Sequence, residues 1–345
     1  MKKLVSLFLS LVMVGAVLCG CGGGSSQGDE GSNGVQNERK ANNEIVVAIA
    51  QDLEDSLDPH ASAAAGTREV LFNIYEGLVK PNASGEYVPA VASDSTVSED
   101  GLTYTFPLRE GVLFHNGAAV TTDDVIYSFQ MCLDPLMVNN RASQLASDYI
   151  TITKATDYYL QGTENKVSWD EVGIKRNGDY MLGLELDAPV TAADIKSHFN
   201  YVWTNLVHKP TYEAGMNEDR TKTSYGSTGD TYKSCGAYIL TEWVPGSVFK
   251  MKKNPDYVLA DHIKLDEYVY KVVADRNTAL ELYLNGELDE VALSPEAIEQ
   301  YVDDPSIKVA PATSIQTLAI NHGNTNNNGI LGNLNFRKAL FYAVD

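Results

Sequence analysis

Cysteine is scarce: the 345-residue chain has four, and two of them, Cys19 and Cys21, close its first apolar run. Only Cys132 and Cys235 remain for everything that follows, which excludes a disulfide-stapled scaffold. Histidine is equally thin. His60, His115, His198, His208, His262 and His322 show no paired spacing, and with no Cys-x-x-Cys there is no metal-ligand pattern. Positive charge is short as well, with 26 Lys and Arg against 46 Asp and Glu and a net charge of −20. That balance repels a phosphate backbone and excludes nucleic acid as the main partner. What is present suffices for a folded body. The length suits roughly two domains of about 150 residues each, and 44% hydrophobic with 21% charged residues is a globular composition.

The first twenty residues stand apart. Lys2 and Lys3 precede the apolar run Leu4–Leu18, which is shorter than the ~20 residues that span a bilayer and reads as a signal-peptide core over residues 1–20. Leu18-Cys19-Gly20-Cys21 resembles the lipobox of bacterial lipoproteins, with a small residue before the acceptor, so Cys21 is the expected lipidated residue. Cleavage there removes Lys2 and Lys3 and leaves the exported body more acidic still. Residues 21–43 are Gly, Ser, Asn, Gln and charged residues, a flexible leash with a reach of about 25 Å. It contains Gly24-Ser25-Ser26-Gln27-Gly28, a literal G-x-S-x-G, but the strand and helix that a nucleophile elbow needs are missing around it.

Regular structure is expected from Ile45–Ala50, a β-branched apolar run that reads as a buried strand stopped by Asp58-Pro59. Thr67–Val79 has helical apolar spacing, and Tyr104, Phe106 and Leu108 alternate as in a half-buried strand. Asn116-Gly117 marks a tight turn. Thr121 and Thr122 before Asp123 and Asp124 then predict a capped helix whose acids complement its dipole. Tyr180–Leu186 reads as a strand and Ala192–Trp203 as a helix, while Thr211–Cys235, polar and rich in Gly, Ser and Thr, reads as a crossing between lobes. Strands are predicted at Tyr238–Trp243, Val248–Lys252 and Glu267–Val273. A helix over Asn277–Asn285 should end at Gly286, and Ser294-Pro295 should open another. Phe336, Leu340 and Val344 mark an apolar helical face with no following element to cover it. The mixture of elements is α/β.

Together these segments resemble the family 5 extracellular solute-binding proteins of bacterial ABC importers, the group of oligopeptide-, dipeptide- and nickel-binding proteins. The stretch Leu108-Arg109-Glu110-Gly111-Val112-Leu113-Phe114-His115-Asn116-Gly117, continuing through Thr122-Asp123-Asp124-Val125 to Tyr127-Ser128-Phe129, carries most of the resemblance. Asp58-Pro59, Tyr75-Glu76-Gly77-Leu78, Cys235-Gly236-Ala237-Tyr238, Asn254-Pro255-Asp256-Tyr257, Asn285-Gly286-Glu287-Leu288-Asp289 and Phe336-Arg337-Lys338-Ala339-Leu340 follow in order. Ser95 and Val258 stand where the family commonly has tryptophan, and Ala237 where it has proline.

The resemblance implies a periplasmic-binding-protein-like two-lobed clamp (class II) with an extra domain. Residues 44–59 and 228–273 would form lobe I, 60–227 the additional domain, and 274–345 the start of an incomplete second lobe, lobe III. It also implies a monomeric, non-enzymatic peptide receptor, lipid-anchored to the outside of the cell membrane, that delivers its ligand to permease subunits and their ATPase. Other solutes (oligosaccharide, nickel, haem) or peptide sensing on the same scaffold are the alternatives. By the resemblance His60, Ser62 and Ala63, just after Asp58-Pro59, lie at the cleft. Arg141 is a candidate for a ligand carboxylate, and Trp243 for a pocket wall. Tyr201, Trp203 and His208 read as domain packing. No cofactor or metal is expected: Asn324, Asn326, Asn328 and Gly329 imitate the start of a calcium loop, but carboxylates are absent and Asn335 stands where Glu is needed. Cys132 falls on a helix's apolar face, so Cys132 and Cys235 are expected as free buried thiols, a disulfide being the alternative.

Overall fold

The structure is a computed structural model that describes residues 43–50, 56–61, 65–82, 84–139, 141–147, 149–162, 166–309 and 319–343. It divides after Leu293 into two compact units. In the first, β1 (Glu44–Ile49) lies parallel to β10 (Glu267–Val272), which continues antiparallel into β9 (Val248–Lys253) and β8 (Tyr238–Val244). Strand β1 can pair this way because it is apolar on both faces. Val47 and Ile49 enter the main core, while Val46 joins Val269, Ala279 and Leu288 in a smaller core on the other face.

A second antiparallel sheet is built from the chain between those strands. Its order is β4 (Thr96–Val97), β5 (Thr103–Pro107), β7 (Met181–Glu185), β6 (Ile174–Arg176), and β2 (Val79–Pro81) and β3 (Tyr87–Pro89) form a separate hairpin. The alternation read in the sequence sends Tyr104, Phe106, Leu182 and Leu184 into the core.

The first helix, α1 (Ala65–Ile74), ends five residues before the expected Val79. Gly236 passes so close that its amide donates to the Ile74 carbonyl at 3.2 Å, taking the place of the next helical turn. Helix α2 (Thr122–Leu133) has the predicted start: Asp124 Oδ2 accepts from the Thr121 amide at 2.9 Å in a capping box. The Thr122 hydroxyl accepts from the Met181 amide at 2.9 Å, fastening that start to β7. Short helices α3 (Ala142–Leu145) and α4 (Ala155–Tyr159) follow, then α5 (Ala192–His198). The expectation of helix up to Trp203 fails because Phe199 drops into the core against Phe106 and Phe129. A 3-10 turn, Val202–Thr204, replaces the missing stretch, and the Thr204 hydroxyl donates to the freed Tyr201 carbonyl at 2.6 Å.

The polar stretch Thr211–Cys235 is more ordered than its composition suggests. It begins in α6 (Lys209–Ala214) and buries Tyr212, Tyr225 and Tyr232 almost completely. Cys132 and Cys235 are free and buried, and burial pushes both thiols up.

Beyond β10, α7 (Arg276–Leu284) is capped by the Asp275 carboxylate, which accepts from the Thr278 amide at 2.8 Å, and it gives way to Gly286 at φ +75°. The chain then returns to β1: the Asp289 amide donates to the Val46 carbonyl and the Val46 amide to Asp289 Oδ2, both at 2.8 Å. The Asn285–Asp289 motif thus ties this segment to the first sheet. In the second unit Ser294 caps α8 (Pro295–Gln300) through the Ala297 amide, followed by α9 (Asn326–Gly329) and α10 (Leu334–Ala343). The asparagine-rich segment is an exposed turn with Asn327 and Asn328 in the left-handed region. Among the described residues no His, Cys, Asp and Glu cluster could hold a metal ion, and no helix is long and apolar enough to cross a membrane.

Candidate ligand-binding site

The segment after Asp58-Pro59 is anchored from below. Asp58 is 2% exposed; its Oδ1 accepts from the His60 amide and its Oδ2 from the Tyr212 hydroxyl, both at 3.0 Å. His60, with no exposed surface, places Nδ1 3.9 Å from that carboxyl and its ring 6.3 Å from Tyr212. Burial raises the Asp58 pKa and lowers that of His60; their mutual attraction opposes both shifts and is smaller, so the neutral forms gain. His60 therefore holds the segment in place from inside the core. Ser62 and Ala63, the next candidates, lie outside the described residues, as does Cys21.

Arg141 leads into α3, which packs on the 202–204 turn. Its guanidinium lies 5.9 Å from the Trp203 ring centre, and Trp203 in turn stacks on Tyr201 at 4.3 Å with the planes 7° apart. The pair expected as plain packing thus forms a ladder with a cation at one end and a 39% exposed tyrosine at the other.

Trp243 is half-buried on β8, its ring 5.9 Å from Phe249, and its indole Nε1 is buried with no acceptor among the described residues. It lines an open cavity of about 360 Å³ between the Ser227–Asp230 turn and the strand residues Leu240–Trp243 with Pro245. That volume is in the range of small-ligand pockets. The β8–β9 register shifts between Leu240 and Glu242, beside the cavity.

One loop joins the first candidate to the third. The Leu57 amide donates to the Gly226 carbonyl at 2.8 Å, and Gly226, at φ +73°, approaches so closely that a Cβ would meet Leu57 and Asp58 backbone atoms at 2.8–2.9 Å. The next residue is Ser227, the lip of the cavity. The sequence reading missed Asp230 and this loop, although Gly226 followed by Ser227-Thr228-Gly229-Asp230 is the turn chemistry that signals it. A further network missed from sequence couples α2 to α6. Glu213 accepts from the Tyr127 hydroxyl at 2.7 Å and from both terminal nitrogens of Arg220 at 2.8 and 2.9 Å. The Arg220 bonds are the main reason the Glu213 carboxyl falls to about 2.

The sheets with their flanking helices and the cavity beside β8 make a mixed α/β scaffold. Residues 86–345 match the family described as bacterial extracellular solute-binding proteins, family 5 middle. The chain belongs to this family, whose members bind solutes, and its fold is that of the family 5 periplasmic binding proteins. It is 30% identical over 355 aligned positions to the oligopeptide-binding protein OppA of Bacillus subtilis, covering 100% of this chain and 60% of that protein. It is also 30% identical over 345 positions to the dipeptide-binding protein DppE of the same organism, with 100% and 59% covered. The chain thus spans about 60% of the length of these relatives. Among solved structures, the pheromone receptor PrgZ matches at a TM-score of 0.77 and 25% identity over 88% of this chain and 57% of that one. The substrate-binding domain of an oligopeptide ABC transporter from Bacillus anthracis matches at 0.68 and 27% over 77% and 48%.

Proposed function

We propose that the chain captures peptides outside the cell and delivers them to the permease subunits of an ABC importer, held to the membrane as a monomer through a lipid on Cys21. The carrying observation is the match along the whole chain to relatives named for oligopeptide and dipeptide binding. Residues 44–59 and 228–273 form lobe I in this reading, and 60–227 the additional domain. The pairing of β1 with β10 in one sheet supports that division, and we carry lobe I on to Leu293 because α7 and Asp289 attach to the same sheet. The second lobe then starts at Ser294.

His60, Ser62 and Ala63 are ligand-binding residues in this reading. Arg141 offers a fork for a ligand carboxylate, and Trp243 walls a side-chain pocket. Isothermal titration against mixed short peptides and against oligosaccharides tests the reading: saturable binding of peptides is expected, and binding of sugars without peptides would contradict it.

The likeness to PrgZ favours a second reading, a peptide-sensing receptor on the same scaffold. Permease and ATPase genes beside this one favour import, and a lone gene beside a kinase favours sensing.

A further inference from the structure

The cavity beside Trp243 has a chemical bias. Two carboxylates, Asp230 and Glu242, line it together with the indole of Trp243, and no lysine or arginine does. Glu242 is already neutralised by Lys250 Nζ at 2.6 Å on the neighbouring strand. Asp230 is different: among the described residues its carboxylate has no hydrogen-bond donor and no ion-pair partner. The nearest cation in sequence, Lys233, donates to the Asp230 backbone carbonyl at 3.1 Å instead. The Thr231 hydroxyl accepts from the Thr228 amide at 2.9 Å and donates to the Thr228 carbonyl at 3.0 Å, which fixes the turn that carries Asp230. An indole side chain and a carboxylate that among the described residues has no partner line the same cavity, a pairing suited to an organic cation, which gains from the ring and from the charge together. The chain's net charge of −20 adds a long-range field of the same sign.

We propose that the Asp230–Trp243 cavity is a specificity pocket for a cationic side chain, a primary ammonium or guanidinium group, on the captured peptide. Its placement on a peptide rests on the function proposed above; recognition of the cation by the cavity does not. The group sits against the indole with its charge toward Asp230, and the apolar stem lies along Leu240 and Pro245.

The test separates the two claims. Tripeptides Gly-Lys-Gly and Gly-norleucine-Gly are titrated into the protein and into its Asp230→Asn and Asp230→Glu variants, at low and high salt. The lysine peptide is expected to bind about tenfold more tightly than its norleucine counterpart. Asp230→Asn should bring the ratio close to one, Asp230→Glu should keep part of it, and added salt should shrink it. Equal binding of both peptides in the unaltered protein overturns the pocket and leaves peptide capture standing. If neither peptide binds, N-acetyl-lysine amide and its norleucine analogue are followed through the Trp243 indole NMR signal. A saturable shift with the lysine compound alone, lost in Asp230→Asn, supports the pocket while peptide capture falls; no shift, or the same shift with both, overturns the pocket too.

Discussion

The loop from Ser224 to Tyr232 has two faces that behave in opposite ways. Its inward side is buried: Tyr225 packs on Tyr212, whose hydroxyl donates to Asp58, and Tyr232 packs on Tyr75 and His115, while burial favours the uncharged forms of Asp58 and His60. Its outward side, Ser227–Asp230, is exposed, and among the described residues the Asp230 carboxylate has no partner. Aromatic side chains mixed with polar groups build a closed seam on one side of Gly226 and an open pocket on the other. The difference lies in what packs behind them. Tyr212, Tyr75 and the Leu57 segment fill the seam, whereas the strand facing the turn shifts register beside an open cavity. Substitutions in the seam should therefore read out as stability, and those in the pocket as ligand preference.

The largest effect is expected where the two faces meet. Gly226→Val places a branched side chain at φ +73° against the backbone of Leu57 and Asp58, which cannot give way, so a loss of about 3 kcal/mol or more is expected in denaturant unfolding. Gly236→Val, against the backbone of Ile74 and Tyr75, should cost a similar amount. Within the seam, Tyr212→Phe removes one donor from the buried Asp58 carboxyl and should cost about 1–3 kcal/mol. Tyr257→Phe should cost a comparable amount, because the Tyr257 hydroxyl donates to the buried Glu76 carboxylate, which also accepts from Lys80 Nζ at 3.0 Å.

Acid should act on buried histidines first. Burial lowers both His115 and His198 to about 4, below the ordinary 6.5. The unfolded chain takes up these protons near pH 6.5 and the folded chain only near pH 4, so unfolded protein binds more protons in between. Their contribution is complete above about pH 6.5 and is lost as pH falls toward 4, at up to about 1.4 kcal/mol per unit for each histidine. Asp58, with its raised carboxyl, acts with the opposite sign at the acid end, and Glu213 loses its contribution below the ordinary carboxylate range. A thermal melting series from pH 7 to pH 4 should show Tm falling; a flat profile would mean that His115 and His198 reach water. The smallest stability effect belongs to the pocket: Asp230→Asn should stay within about 0.5 kcal/mol, since its carboxylate is exposed and bonds to none of the described residues.

Local chemistry was legible in the sequence and long-range burial was not. The Thr121–Asp124 capping box, the Asn116-Gly117 turn, the Ser294 cap and the Gly286 helix stop follow from neighbours a few residues apart. The ends of α1 and α5 were misjudged because Gly236 and Phe106, each distant in sequence, set them. The burial of His60 was out of reach for the same reason: its ring lies beside Tyr212, more than 150 residues away. Trp243 was picked out by residue type, but the cavity beside it arises from a register shift and a turn that no periodicity in β8 announces.

The central claim is that a family 5 binding scaffold serves here to capture peptides. Isothermal titration of short peptides into the protein, in the full form its gene encodes, tests it most directly. Saturable binding with a preference for peptides over oligosaccharides is the predicted result. Heats no different from dilution for every peptide, alongside saturable binding of another solute, would contradict it.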